Sequence, residues 1–372
     1  MIWFFLLSGL FLGWSLGAND AANIFGTAVG TRMVNFRVAA LIASIFVILG
    51  AVIGGAGATG TLGALGAVNA MAGSFTVALT AGLTVASMSR FGLPVSTSQA
   101  IVGAIIGWNF FTGSPTGQGA LVEIVSAWVV SPLLAAGFAI VLYLVAHRWL
   151  AWRRIHLFSL DAYTRFGLIV VGAAGAYTLG ANNIANVMGV FVPAAPFGDH
   201  WLGSSFRITG TEQLFLLGGV AIAVGIYTDS YRVMTTVGGQ IFKLTPIMAL
   251  IVVLAHTIVL FVFSSQGLQH ALHAIGLPAP PLVPVSSTQA IIGAILGVAV
   301  VKRGKGIQYG TLGRVALGWV MTPIMAGLLS FVLLFFVQNV FEQKVVERPA
   351  TTVSIHRNTT TAPAPLPRLP SQ

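Results

Sequence analysis

Two short motifs place polar side chains where neither a lipid-facing surface nor an ordinary core has use for them. Residues Gly17-Ala18-Asn19-Asp20-Ala21-Ala22-Asn23 set two amides and a carboxylate within two helical turns. Gly180-Ala181-Asn182-Asn183-Ile184-Ala185-Asn186 repeats the pattern with three amides. Their oxygens are hard ligands suited to Na+ or a similar cation, as in the broken helices of transporters. The second motif opens with Pro94, continues through Ser96, Thr97, Ser98 and Gln99, and returns as Pro284 with Ser286, Ser287, Thr288 and Gln289. Proline, hydroxyls and then an apolar run mark a helix start. Free N–H groups and the positive dipole end make an anion site there. The hydroxyls and the Gln amide add donors without a fixed charge, which lets an anion bind and leave again.

Each motif also has a plainer reading. A single Asn can join membrane helices, and a Ser after Pro can simply cap one. Duplication favours the site reading. PVSTSQAIVGAIIG at 94–107 and PVSSTQAIIGAILG at 284–297 share ten of fourteen positions, and WVVSP at 128–132 returns as WVMTP at 319–323. Three matches in one order make the chain two related halves. The first pair is offset by 163 residues (Asn19 to Asn182) and the second by 190 (Ser96 to Ser286), so the second half carries a net insertion of 27 residues (190 − 163) between its motifs. The polar, Pro/Gly-rich segment 191–212 is read as part of it.

The elements that position these motifs must be membrane helices. Of 372 residues, 56% are hydrophobic and 7% charged, against roughly 25% charged in a soluble domain. Apolar runs long enough to cross hydrocarbon recur at Val38–Ile53, Ile124–Ala146, Ile247–Phe263 and Leu317–Val337. The net charge of +10 does not point to nucleic acid, because the cations lie between apolar segments. Arg148, Arg153 and Arg154, and then Lys302, Arg303 and Lys305, follow the positive-inside pattern and place both loops in the cytoplasm. The absence of cysteine excludes disulfides and thiolate metal sites. The first cation is Arg32, so Ile2–Leu16 reads as part of the first span and not as a cleaved signal. The expected organisation is a first repeat over 1–150, a basic linker over 151–165, a second repeat over 166–344 and a disordered Pro/Thr-rich tail over 345–372. Thr76–Ser89 reads as half a crossing, leading into a re-entrant half-helix at the Ser/Thr motif.

At these residues the chain resembles the inorganic phosphate transporter (PiT) family. GANDAANIFGTAVG and GANNIANVMG, with PVSTSQAIVGA and PVSSTQAIIGA, are similar to its paired signatures over roughly residues 1–340. The resemblance implies an all-α integral membrane protein of two pseudo-symmetric, inverted repeats with discontinuous and re-entrant helices. It implies secondary active symport of phosphate with Na+ or H+, an anion site at Ser96–Gln99 and Ser286–Gln289, and cation ligands at Asn19, Asp20, Asn23, Asn182, Asn183 and Asn186. Two positions depart from it. Many members carry a second Asp where this chain has Asn183, and many end the Ser/Thr motif in His where this chain has Gln99 and Gln289. The missing His favours Na+ over H+ as coupling ion.

No cofactor is expected beyond that ion, and the expected setting is the plasma (inner) membrane, with a homodimer compatible with the Gly-rich faces. No nucleophile–base pair, His/Cys metal cluster or nucleotide loop supports an enzyme. A sulfate or other tetrahedral oxyanion permease on the same fold, or an anion channel, remains open at this point. Outside the motifs, Glu123 and Glu212 read as structural residues at helix starts. Asp229 reads as a span end and Arg90 as an interfacial cation. His147, His156, His256, His270 and His273 show no ligand spacing. Gly103/Gly107 and Gly293/Gly297 read as packing notches.

Overall fold

The computed structural model describes residues 2–90, 95–153, 156–194, 197–202, 206–237, 242–304 and 306–347. Pro94, Arg154, Lys305 and the tail from 348 onward, all part of the sequence reading, lie outside them. The first half contains α1 (Ile2–Gly30), α2 (Phe36–Gly54), α3 (Thr59–Leu65), α4 (Met71–Arg90), α5 (Thr97–Thr112) and α6 (Gln118–Arg153). The second contains α7 (Leu157–Met188), strands β1 (His200–Leu202) and β2 (Phe206–Ile208), α8 (Gly210–Val237), α9 (Pro246–Ser264), α10 (Gln266–Ala274), α11 (Ser287–Val301) and α12 (Tyr309–Asn339). Among the described residues, eight helices are long and apolar enough to cross a membrane. The protein is a multi-pass membrane protein. Helices α6 and α12 turn side chains such as Leu133, Val145, Leu328 and Phe335 outward, as lipid-facing spans must.

The halves pack reciprocally. Gly17 of α1 meets the Ile222 carbonyl of α8, and its counterpart Gly180 of α7 meets the Val47 carbonyl of α2, with no room for a Cβ at either. Gly103 of α5 meets Pro323 of α12, and Gly293 of α11 meets Pro132 of α6. The WVVSP and WVMTP repeats therefore supply the backbone on which the opposite half's Ser/Thr-motif helix rests. Such exchange is the signature of a two-fold relation. Gly9 and Gly13 of α1 lie against Met188 and Val187 of α7, whereas Ile24 and Phe25 lie against Gly175 and Gly172. Partner numbers fall as α1 advances, so α1 and its copy α7 run antiparallel. That is the arrangement an inverted repeat requires.

The re-entrant elements are α5 and α11. Gly73 at the start of α4 adjoins Trp108 near the end of α5, so the chain enters and leaves this unit on one side. In the second half, Phe242 just before α9 adjoins Gly306 just after α11. The helix α11 has 15 residues, about 22 Å at 1.5 Å per residue, which is short of the roughly 30 Å of hydrocarbon. Lys302 lies over the Tyr143 ring of α6, bringing the two basic loops to the same face.

Several expectations shift. Thr76–Ser89 is part of a longer helix than the sequence suggested. It belongs to α4, a 20-residue helix whose last turn reaches the site, where Ser89 Oγ donates to Asn19 beside the start of α5, so α4 and α5 together form the re-entrant pair. The linker region is mostly helical, because α6 runs to Arg153 and α7 starts at Leu157. The insertion adds a two-stranded antiparallel hairpin to an otherwise helical chain. Asp199 closes the hairpin by accepting from Arg207 and from Gly210 N, the first residue of α8. The Arg207 hydrogen bond, followed by the Gly210 amide, holds the Asp199 carboxyl below its ordinary range. Glu212 forms a capping box: its Oε2 accepts from Thr209 N, and Thr209 Oγ1 accepts from Glu212 N. Asp229 does not end its helix, since α8 continues to Val237. The tail begins later than 345. Val345 is buried, its carbonyl accepts from Trp108 Nε1 at 2.9 Å, and Asn69 exchanges two hydrogen bonds with the Glu347 backbone.

The close approaches predict a sign difference. Gly103→Ala should lower stability by about 1–3 kcal/mol through overpacking against Pro323. Gly60→Ala, where a Cβ meets nothing within 4 Å, should be neutral or raise it by up to ~1 kcal/mol. Thermal unfolding midpoints of the detergent-purified variants check this; equal shifts would contradict the packing.

Candidate ion and anion site between the halves

The Ser/Thr motifs start α5 and α11 deep inside the protein. Ser96 caps α5 by accepting from Gln99 N at 3.3 Å, and Ser286 caps α11 by accepting from Gln289 N at 3.2 Å. The capping role is thus real, and it falls on one hydroxyl of each motif. Two others reach across the molecule. Ser98 Oγ donates to the Val285 carbonyl at 3.1 Å, and Thr288 Oγ1 donates to the Val95 carbonyl at 3.0 Å. Each helix start therefore satisfies the extended backbone that precedes the other.

The Asn motifs complete the exchange. Asn23 Nδ2 of the first half donates to Ser287 Oγ at 3.0 Å and Thr288 Oγ1 at 3.4 Å. Asn186 Nδ2 of the second half donates to Ser98 Oγ at 2.9 Å. Asn19 and Asn182 hold their own half's helix start, through the carbonyls of Val95 (3.3 Å) and Val285 (2.9 Å). Asn19 also donates to Asp20 Oδ1 at 2.8 Å and accepts from Ser89 Oγ. Asn183 turns back on its own helix, donating to the Leu179 carbonyl and accepting from Asn186. All fourteen residues singled out in the motifs are buried, and the fold brings the four segments into one region.

Some of their polar atoms have no protein partner: Thr97 Oγ1, Gln99 Oε1, Gln289 Oε1 and Asn186 Oδ1. An unsatisfied buried polar atom costs roughly 1–3 kcal/mol, so four around one pair of helix starts suit groups kept for a ligand. Oxygen is the common element, as a hard cation requires, with Asp20 the one carboxylate of the set. A cleft of about 170 Å³ lined by Tyr177, Ala181, Ser264 and Ser265 opens next to the second Asn motif.

Sequence reasoning missed two contributors. Ser89 sits in an unremarkable run of α4. His256 was set aside for lack of ligand spacing, yet its Nε2 lies 3.0 Å from Ser287 Oγ. It is the one ionisable residue in the 19-residue apolar span of α9, a signal that by itself marks function in a membrane helix.

The model of the phosphate transporter family matches residues 16–270 and 282–364. The chain belongs to that family. Its members include a Methanocaldococcus jannaschii protein whose name marks it a candidate phosphate permease, 28% identical over 332 residues that cover 88% of this chain and 95% of that one. A Bacillus subtilis protein named as a probable low-affinity inorganic phosphate transporter is 27% identical, covering 87% and 93%. Among solved structures, one titled the sodium-dependent phosphate transporter shares the fold with a TM-score of 0.73 at 20% identity, covering 91% of this chain and 98% of that one. Membership of this family makes the protein a transporter and not an enzyme.

The cross-half bonds should be energetically coupled. In a double-mutant cycle of Asn186→Ala with Ser98→Ala, the stabilities should be non-additive by about 0.5–1.5 kcal/mol. Additive losses in detergent unfolding midpoints would mean the two side chains do not hold the halves together.

Proposed function

We propose that this chain is a secondary active symporter that imports inorganic phosphate together with Na+ across the plasma (inner) membrane. The observation that carries the reading is the crossing of the motifs: Asn23 binds the second half's helix start and Asn186 the first half's. Cation-type and anion-type groups thus share one hydrogen-bonded site. Two helix N-termini supply N–H groups and dipoles for the anion. Amide oxygens and a single carboxylate give a donor set of low charge, which suits a monovalent hard cation. Asp20, buried beside the anion motif, repels phosphate unless a cation lies between them. That mutual requirement is a physical basis for moving the two together.

Phosphate is favoured over sulfate by the same atoms. A protonated phosphate can donate a hydrogen bond and sulfate cannot, and Gln99 Oε1 and Gln289 Oε1 are acceptors without a partner. A site at the seam between two inverted halves also suits alternating access, because rocking one half against the other would exchange its exposure.

Uptake of radiolabelled phosphate into proteoliposomes is the direct test. An inward Na+ gradient should drive accumulation above equilibrium, and arsenate in excess should compete where sulfate does not. Asp20→Asn should reduce Na+-driven accumulation by at least about tenfold, the scale of one lost charged ligand. Passive flux alone would make the protein a channel, and equal competition by sulfate would broaden the substrate to oxyanions in general.

A further inference from the structure

One repeated motif takes no part in the transport reading: WVVSP at 128–132 and its copy WVMTP at 319–323. Gly293 of α11 rests on Pro132 of α6, and Gly297 rests on Ala136, so the two helices lie side by side and advance in the same direction. One turn before the first of these contacts stand Gln289 (293 − 4) and Trp128 (132 − 4), level with each other on the facing stripes. The first half repeats the register. Gly103 of α5 rests on Pro323 of α12 and Gly107 on Gly327, which sets Gln99 (103 − 4) level with Trp319 (323 − 4). Each Ser/Thr-motif glutamine thus has a tryptophan of the neighbouring span beside its helix start.

The four side chains share a second property. Both indole Nε1 atoms are buried without a hydrogen-bond partner, although each ring as a whole is only half-buried. Both glutamine Oε1 atoms are buried without a partner too, on side chains that are 3% and 5% exposed. An indole N–H can only donate, and an amide oxygen can only accept. Each level therefore holds one unfilled donor and one unfilled acceptor that do not satisfy each other. Packing accounts for the rings but not for the N–H groups, since a phenylalanine would fill an apolar seam without carrying an unpaired donor into it.

A ligand that fills both atoms must offer an acceptor and a proton side by side. A protonated phosphate does so, with one oxygen for the indole and one P–OH for the amide, whereas sulfate can meet only the indole. We infer that Trp128 and Trp319 are further anion-binding residues, whose indole N–H groups donate to oxygens of the transported phosphate beside the Gln289 and Gln99 amide oxygens. A neutral donor suits this place for the reason that the hydroxyls do. It adds directional binding without a fixed charge that would keep the anion from leaving.

The inference rests on the phosphate-symport reading, and the test separates the two. Wild type, Trp128→Phe, Trp319→Phe and the double variant are compared as full-length protein. Trp149→Phe, which alters an exposed ring near the other end of α6, is the control. KM for phosphate is measured in proteoliposomes at saturating Na+, and the melting midpoint in detergent is measured with and without inorganic phosphate. Each single variant should raise KM about tenfold, the scale of a hydrogen bond to a charged group, and the double variant about a hundredfold. Without phosphate the midpoint should stay or rise, because an unpaired donor has gone, while the upward shift that phosphate produces should shrink. The control and the Na+ concentration for half-maximal uptake should not change. An unchanged KM in either variant overturns the inference: with an unchanged midpoint it leaves that indole to a buried water, and with a lowered one it makes the ring a packing element. A matching shift in Na+ dependence also overturns it. If one variant does not fold by size exclusion the other decides alone, and if neither folds the rings are structural and the inference falls. A wild type that phosphate does not stabilise, and that carries none under any ion gradient, overturns the symport reading itself and the inference with it.

Discussion

Every polar group placed in hydrocarbon must find its partner within the protein, and here the halves satisfy this by serving each other. The Val95 and Val285 carbonyls belong to extended backbone ahead of the two re-entrant helices, and each is answered by a hydroxyl from the other half. The Asn side chains of α1 and α7 add the second set of crossings. Removing either half would leave these carbonyls, hydroxyls and amides without partners in a medium that offers none. The interrupted helices are therefore tolerated because they are duplicated.

Close backbone approach is what makes the exchange geometrically possible. Gly103 and Gly293 let α5 and α11 rest on the proline-containing turns of α12 and α6, while Gly17 and Gly180 seat α1 and α7 against α8 and α2. Pro132 and Pro323 each lack an N–H, so the carbonyl one turn earlier has no helical donor. The apolar seam supplies contact, and the polar bonds supply register. Together they leave a small buried region whose unpaired atoms cluster at the helix starts.

Much of this was legible in the sequence because the duplication repeats chemistry, not just hydrophobicity. The paired Asn and Ser/Thr motifs, the lipid setting and the basic loops on one face all follow from residue types and order. What was not legible depends on three-dimensional juxtaposition. Nothing in the spacing of His256 relates it to Ser287, 31 residues later, and only the folding of α9 against α11 joins them. The threonines of α4 read as polar in the sequence, yet Thr76, Thr80 and Thr84 each bond within their own helix, and what brings Ser89 to Asn19 is visible only in three dimensions. The hairpin at β1 and β2 has strands of three residues, too short for any alternation to register. Val345 and Glu347 belong by composition to a Pro/Thr-rich tail, but they dock by backbone groups that composition does not describe.

The antiparallel pairing of α1 with α7 has a consequence for how the chain enters the bilayer. Two copies of one pattern that lie in opposite senses present their equivalent loops to opposite sides of the bilayer. A half that crosses the bilayer an odd number of times delivers the chain to the opposite side, so a following copy is turned over by connectivity alone, whatever its own loop charges. The cations gathered at the ends of α6 and α11, with Lys302 over Tyr143, therefore need to orient the chain only once for both halves.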